Sequence, residues 1–185
     1  PEFSNLMSSA LSIDPNDFEC HRLQCAVNTM MGDMKAALEH GKKAYDVNPN
    51  DPRILQQYGE VLLKTGKTEE GCDLTLLALE YDPIAQGQTN SDKRKSDGVF
   101  GCVLDDRPDV GLDIASGMID RSEKVLIYSA ALAVASTGSL QNFSWLIEDL
   151  KNADFAQIEE AIEEMGKFDV VVQSKLKEVF LDHIS

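Results

Sequence analysis

The chain has 185 residues, of which 43% are hydrophobic, 26% charged and 6% aromatic, enough apolar content for a core and too much for wholesale disorder. Its 17 Lys+Arg stand against 32 Asp+Glu, a net charge of −15, which argues against non-specific attraction of the whole surface to nucleic acid or to an anionic membrane. The longest apolar run, Ala130 to Ala135, is far too short to span a bilayer, and no signal-peptide pattern opens the chain.

The first three residues, Pro1-Glu2-Phe3, read as a cloning scar outside the fold, and the chain is expected to be a piece of a longer protein. Leu6 to Ile13 then read as a helix. From there a period of 34 residues organises the sequence. Pro15, Pro49 and Pro83 keep it, as do Ala10, Ala44 and Ala78, and Gly32 and Gly66. Proline ends a helix and drives the residue before it out of the α region. The Asp or Asn that follows, in Asn16-Asp17 and Asn50-Asp51, caps the next helix, and Pro52 fits its first turn. Gly32 and Gly66 supply tight turns between antiparallel helices, and the alanines allow close helix approach. Leu55, Tyr58, Leu62 and the small Gly59 form one apolar stripe, and Leu74, Leu77 and Ala78 another. Ala44 is expected to point inward and Lys42 and Lys43 to water.

This helix-turn-helix unit resembles the tetratricopeptide repeat family. In the unit from Phe18 to Asp51 the family's pattern positions hold His21, Gln24, Cys25, Asn28, Ala37, Gly41, Ala44 and Pro49. In the unit from Pro52 they hold Leu55, Tyr58, Gly59, Leu62, Gly71, Thr75, Ala78 and Pro83. The small-residue positions match well and the large aromatic ones poorly. The resemblance covers residues 6–83: a half-repeat over 4–17 and repeats over 18–51 and 52–85. It implies an all-α fold, an α-α superhelix of antiparallel hairpins, continued through 84–185 by degenerate helical repeats and a divergent C-terminal cap. A cap is expected because an end repeat must cover its apolar face.

Beyond Pro83 the period fails. Ile84 to Asn90 reads as a turn, and a third repeat in register would need a small residue where the chain has Asp105. Ser91 to Asp97 holds the basic cluster Lys93-Arg94-Lys95, read as a loop. Gly98–Leu104 and Val110–Ile119 suggest a degenerate hairpin around Asp106-Arg107-Pro108-Asp109. Helices follow over Arg121–Ser136, Leu140–Asn152 with Ser139 as cap, Asp154–Met165 ended by Gly166, and Val170–Ile184, for roughly nine helices in all. Acidity is spread along the chain: 14 acidic and 7 basic residues in 1–83, 8 and 6 in 84–138, 10 and 4 in 139–185. Glu159-Glu160 and Glu163-Glu164 form a like-charged helix face, read as a solvated surface with docking of a basic partner as the alternative.

No catalytic pattern rises above noise: there is no GxSxG, no Walker loop, no GxGxxG and no strand signal to carry one. Cys20, Cys25, Cys72 and Cys102 follow no metal-ligand spacing, and His21, His40 and His183 form no HxxxH pair. The cysteines read as reduced packing residues, which suits a cytoplasmic setting. Asp105, Asp106, Asp109 and Asp113 lack the glycine and terminal glutamate of a calcium loop. No enzyme activity, cofactor or metal is expected.

The resemblance implies instead a concave groove, lined mainly by the first helix of each unit, that binds a peptide or partner protein. Its lining would be Glu19, Arg22, Ala26, Thr29 and Met30 from the first unit, and Arg53, Gln56, Glu60, Leu63 and Lys64 from the second. Family members that clamp chaperone C-termini use asparagines where Ala26 and Gln57 stand here, so that specificity is not expected. Two other roles stay open: a regulatory arm of a multidomain bacterial regulator, adenylyl cyclase or glycosyltransferase, and a self-assembly module forming homo-oligomers.

Overall fold

The computed structural model describes residues 2–82, 89–167 and 170–183. Among them the chain is all-helical, with eleven helices and no strand. They are α1 (Glu2–Ile13), α2 (Phe18–Met31), α3 (Met34–Val47), α4 (Pro52–Lys64), α5 (Thr68–Glu80), α6 (Thr89–Leu104), α7 (Pro108–Ser116), α8 (Glu123–Thr137), α9 (Ser144–Lys151), α10 (Phe155–Met165) and α11 (Val170–His183). Two compact units divide the chain at 83/84. No helix among the described residues is long and apolar enough to cross a membrane.

In the first unit α2 pairs with α3 and α4 with α5, and α3 packs on α4. The capping chemistry acts as the residue types require. The Asp17 carboxylate accepts the Cys20 N–H, that of Asp33 the Ala36 N–H and that of Asp51 the Arg53 N–H, and Pro52 opens α4. Leu55, Tyr58, Leu62, Leu74 and Ala78 form one core cluster, flanked by Leu38, Tyr45 and Leu77. Ala44 is fully buried while Lys42 and Lys43 face solvent, in ion pairs with Asp46 and Glu39. Glu2 and Phe3, read as outside the fold, belong to α1. Of the turn expected over Ile84 to Asn90, Thr89 and Asn90 instead open α6, while residues 84–88 and the ends at Pro83 and Ile184 lie outside the described residues.

The degenerate hairpin expected around Asp106-Arg107-Pro108-Asp109 is present as α6–α7, and the 34-residue period fails there as expected. Its tip is closed by the same bonds as the first two. Asp33, Lys67 and Arg107 donate their N–H groups five residues back to Asn28, Leu62 and Cys102, at 2.9, 2.9 and 3.0 Å. Ala37, Gly71 and Gly111 then donate to Asp33, Lys67 and Arg107, at 2.9, 3.0 and 3.1 Å. Each tip holds one left-handed residue: Gly32 (φ 80°), Gly66 (φ 84°) and Asp106 (φ 52°). The offset between the second and third hairpins is 40 residues instead of 34. The small residue sought at Asp105 is therefore Gly111, where a Cβ would stand 2.5 Å from Leu132. Asp105 itself sits at the tip, paired with Arg107 at 2.6 Å.

The basic cluster is helical, not a loop. Lys95 of α6 donates to the Gly117 carbonyl (3.0 Å), and the buried Asp92 accepts the Asp120 N–H (3.1 Å), so α6 pins the segment between α7 and α8. That segment ends α7 at Ser116, short of the expected Ile119. Nine consecutive residues of α8, Val125 to Ala133, are buried, as expected of a central helix apolar all round. It packs on α6, α7, α10 and α11. α9 starts at Ser144 rather than Leu140, because Ser139 accepts the Gln141 N–H in a local turn instead of capping a helix. Asp154 caps α10 as expected.

Gly71→Ala is expected to destabilise the chain by about 1–2 kcal/mol in denaturant melts. The new Cβ would sit 2.8 Å from the Leu63 backbone nitrogen and 2.9 Å from the Gly59 carbonyl, so two helix backbones must part. That overpacking, about 1–3 kcal/mol, outweighs the gain of up to ~1 kcal/mol in helix propensity.

Candidate functional site

α2 and α4 pack against each other in the first unit. Glu19 is the joint. It pairs with Arg22 one turn along its own helix (2.6 Å) and with Arg53 of α4 (3.5 Å). Arg53 also closes on Asp51 (2.6 Å), the residue that caps α4. The hydrogen bond from Arg22 holds the Glu19 carboxyl below its ordinary pKa, and that from Arg53 does the same for Asp51. Two turns further along α4, Glu60 pairs with Lys64. The result is a charge ladder in which every carboxylate has a basic neighbour.

The remaining groove candidates divide. Gln56 is half-buried on α4. Thr29 turns its hydroxyl into its own helix, donating to the Cys25 carbonyl (2.8 Å). Met30 stands 87% exposed at the end of α2 beside the exposed Met31. Leu63, expected in the groove, is buried against the Gly71 position of α5 instead. It lies one turn beyond Gly59 and two turns beyond Leu55, so the apolar side of α4 claims it.

Sequence reasoning missed two features of this unit. The first is a histidine pair: the Nδ1 atoms of His21 and His40 approach to 2.8 Å, and His21 Nε2 lies 3.0 Å from the Pro15 carbonyl. A carbonyl only accepts, so His21 carries its proton on Nε2 and its Nδ1 accepts the Nδ1–H of His40. This joins α2, α3 and the loop before α2. The two histidines are 19 residues apart, a spacing no motif flags. The second is a hollow of about 330 Å³ floored by Leu38 and Tyr58 and rimmed by Lys42, Lys43, Lys67 and Asp46. Its lysines come from α3 and the turn before α5, and Tyr58 from α4, so only the fold collects them.

The thiol that shares a helix with His21 is not placed for chemistry. Cys25 is fully buried, and burial pushes its pKa up to about 12, which removes the thiolate a nucleophile needs. The four cysteines form no disulfide and all are buried. Among the described residues no group of three or more His, Cys, Asp or Glu side chains is placed to hold a metal ion. Asp109 instead accepts the Ser136 hydroxyl at 2.8 Å. Compared with known proteins, the chain matches no family model and no curated protein.

Burial and the neighbouring His21, with Lys43 adding repulsion and Glu39 opposing it, lower the pKa of His40. The unfolded chain therefore binds a proton that the folded unit resists. The stability this contributes is present above the ordinary value of 6.5 and is lost as pH falls through it. Urea melts are expected to show the loss between neutral pH and pH ~5, before the carboxylates titrate near pH ~4. His40→Asn should flatten that part of the profile.

Proposed function

We propose that the first unit is a non-enzymatic protein-interaction module of the tetratricopeptide type, which binds an extended peptide or a partner helix across α2 and α4. The observation that carries this reading is the Glu19–Arg53 contact, which makes the exposed faces of two successive first helices one continuous surface. The shared tip geometry of the hairpins supports stacking of like units into an α-α superhelix. The Arg53–Glu19 pair is exposed on both sides, and such pairs are worth only about 0–1 kcal/mol, so a peptide carboxylate or carbonyl can displace Glu19 from Arg53 at little cost. Met30, flexible and apolar, offers a contact that adapts to varied side chains. The partner is a protein, and the buried thiols suit the reducing cytoplasm.

Panning the chain against a random peptide display library tests this reading, with affinities of the selected peptides measured by fluorescence anisotropy. Arg22→Gln combined with Arg53→Glu is expected to weaken them by about tenfold or more. Melting should shift little, since exposed pairs are lost. Unchanged affinity in a folded double variant would sink the groove assignment.

A further inference from the structure

We infer that the second unit carries a separate docking groove, between α10 and α11, for a basic amphipathic helix of a partner protein. The groove has a volume of about 310 Å³ and is lined by Ile162, Phe180 and Leu181 with Glu159, Glu163 and Lys177. Its floor is apolar: Ile162 is buried, while Leu181 is 68% exposed. Phe155, half exposed at the start of α10, meets Phe180 edge-on at 6.1 Å and extends the apolar surface. α10 spends its other side, Ile158, Ala161 and Met165, in the core, which leaves this face outward. Apolar side chains this exposed at the rim of a groove mark a contact surface.

Charge selects the occupant. α10 carries four glutamates and no Lys or Arg. Glu163 is engaged by Lys177 at 2.6 Å and Glu164 by Lys124. Glu159 and Glu160 are exposed and make no ion pair among the described residues. A helix that lays leucine-like side chains on Ile162 and Leu181 thus brings its flanking positions beside unneutralised carboxylates. Lysines or arginines there are attracted, while an acidic helix or an anionic lipid surface is repelled. The first-unit surface has no such surplus, so the two sites would take partners of different charge.

A labelled peptide of leucines and lysines at helical spacing, about 14 residues long, is the probe. Titration by anisotropy against the whole chain should give saturable one-to-one binding that weakens as salt rises. Glu159→Lys with Glu160→Lys should weaken it by about tenfold or more, and so should Leu181→Asp, with circular dichroism unchanged in both. The control Glu69→Lys with Glu70→Lys, on the first unit, should leave it unchanged, and a leucine–glutamate peptide should not bind. Non-saturable binding, equal weakening by the control, or full affinity in both groove variants would overturn the proposal. Because the first-unit surface is not involved, Arg22→Gln with Arg53→Glu should leave this probe's affinity intact whether or not that surface binds peptides.

Discussion

Two antiparallel helices can be joined by two or three residues only if the chain reverses sharply, and that reversal needs one residue in the left-handed region. In this chain the requirement is met three times, at Gly32, Gly66 and Asp106, and the same pair of backbone bonds closes each tip. The short tip then forces the helices together from their first turn onward. Only small residues fit there. At Gly41 a Cβ would come within 2.7 Å of the Tyr58 ring, and at Gly59 within 3.0 Å of the Gly71 carbonyl. The close approach in turn fixes which face of α4 is buried, and so leaves Arg53, Glu60 and Lys64 on the side that meets α2. The side of α4 that carries the charge ladder therefore follows from the tips.

The second unit relies on a different device. α8 is buried over nine consecutive residues, so it has no polar face to orient it, and its entry is set by polar contacts outside the helix. Arg121, just before α8, donates to the Met118 carbonyl (2.9 Å), pairs with Asp149 of α9 (3.2 Å) and lies 4.7 Å over the Trp145 ring. Lys95 and Asp92 hold the same segment from α6. The basic cluster read as a loop thus divides. Lys95 is a mostly buried strut, while Lys93 reaches toward Asp97 at 3.7 Å with its side chain largely exposed.

What could be read from the sequence was whatever depends on residues close along the chain. Caps at Asp17, Asp51 and Asp154, the glycine tips and the inward Ala44 are local, and each has a residue type that serves almost no other purpose. The third hairpin was expected, but its left-handed tip residue and the place of its small residue were hidden for two local reasons. Asp106 takes the left-handed position that glycine signalled twice before, since a short polar side chain tolerates it, and six added residues moved Gly111 out of register. The histidine pair and the lysine-rimmed hollow were hidden for a non-local reason. Each needs the angle and offset at which two helices meet, and no spacing within one helix encodes that. Of the residues that the resemblance put in the groove, Leu63 was misplaced because it lies at the boundary between the two faces of α4.

A net charge of −15 by itself says little about where a partner would bind, because most of the carboxylates that matter here are already answered. On α2 and α4 each acid lies beside a base, and the Glu19–Arg53 pair is exposed on both sides, so recognition there would proceed by swapping that weak ion pair for another. Such a surface gains little from long-range attraction and owes its selectivity to geometry, above all to the planar forks of Arg22 and Arg53. On α10, Glu159 and Glu160 have nothing to give up, so a cation arriving there adds an interaction rather than replacing one. The two surfaces should accordingly differ in their response to salt. Screening weakens both terms of an exchange and largely cancels on the first surface, whereas on the second it removes attraction that nothing offsets.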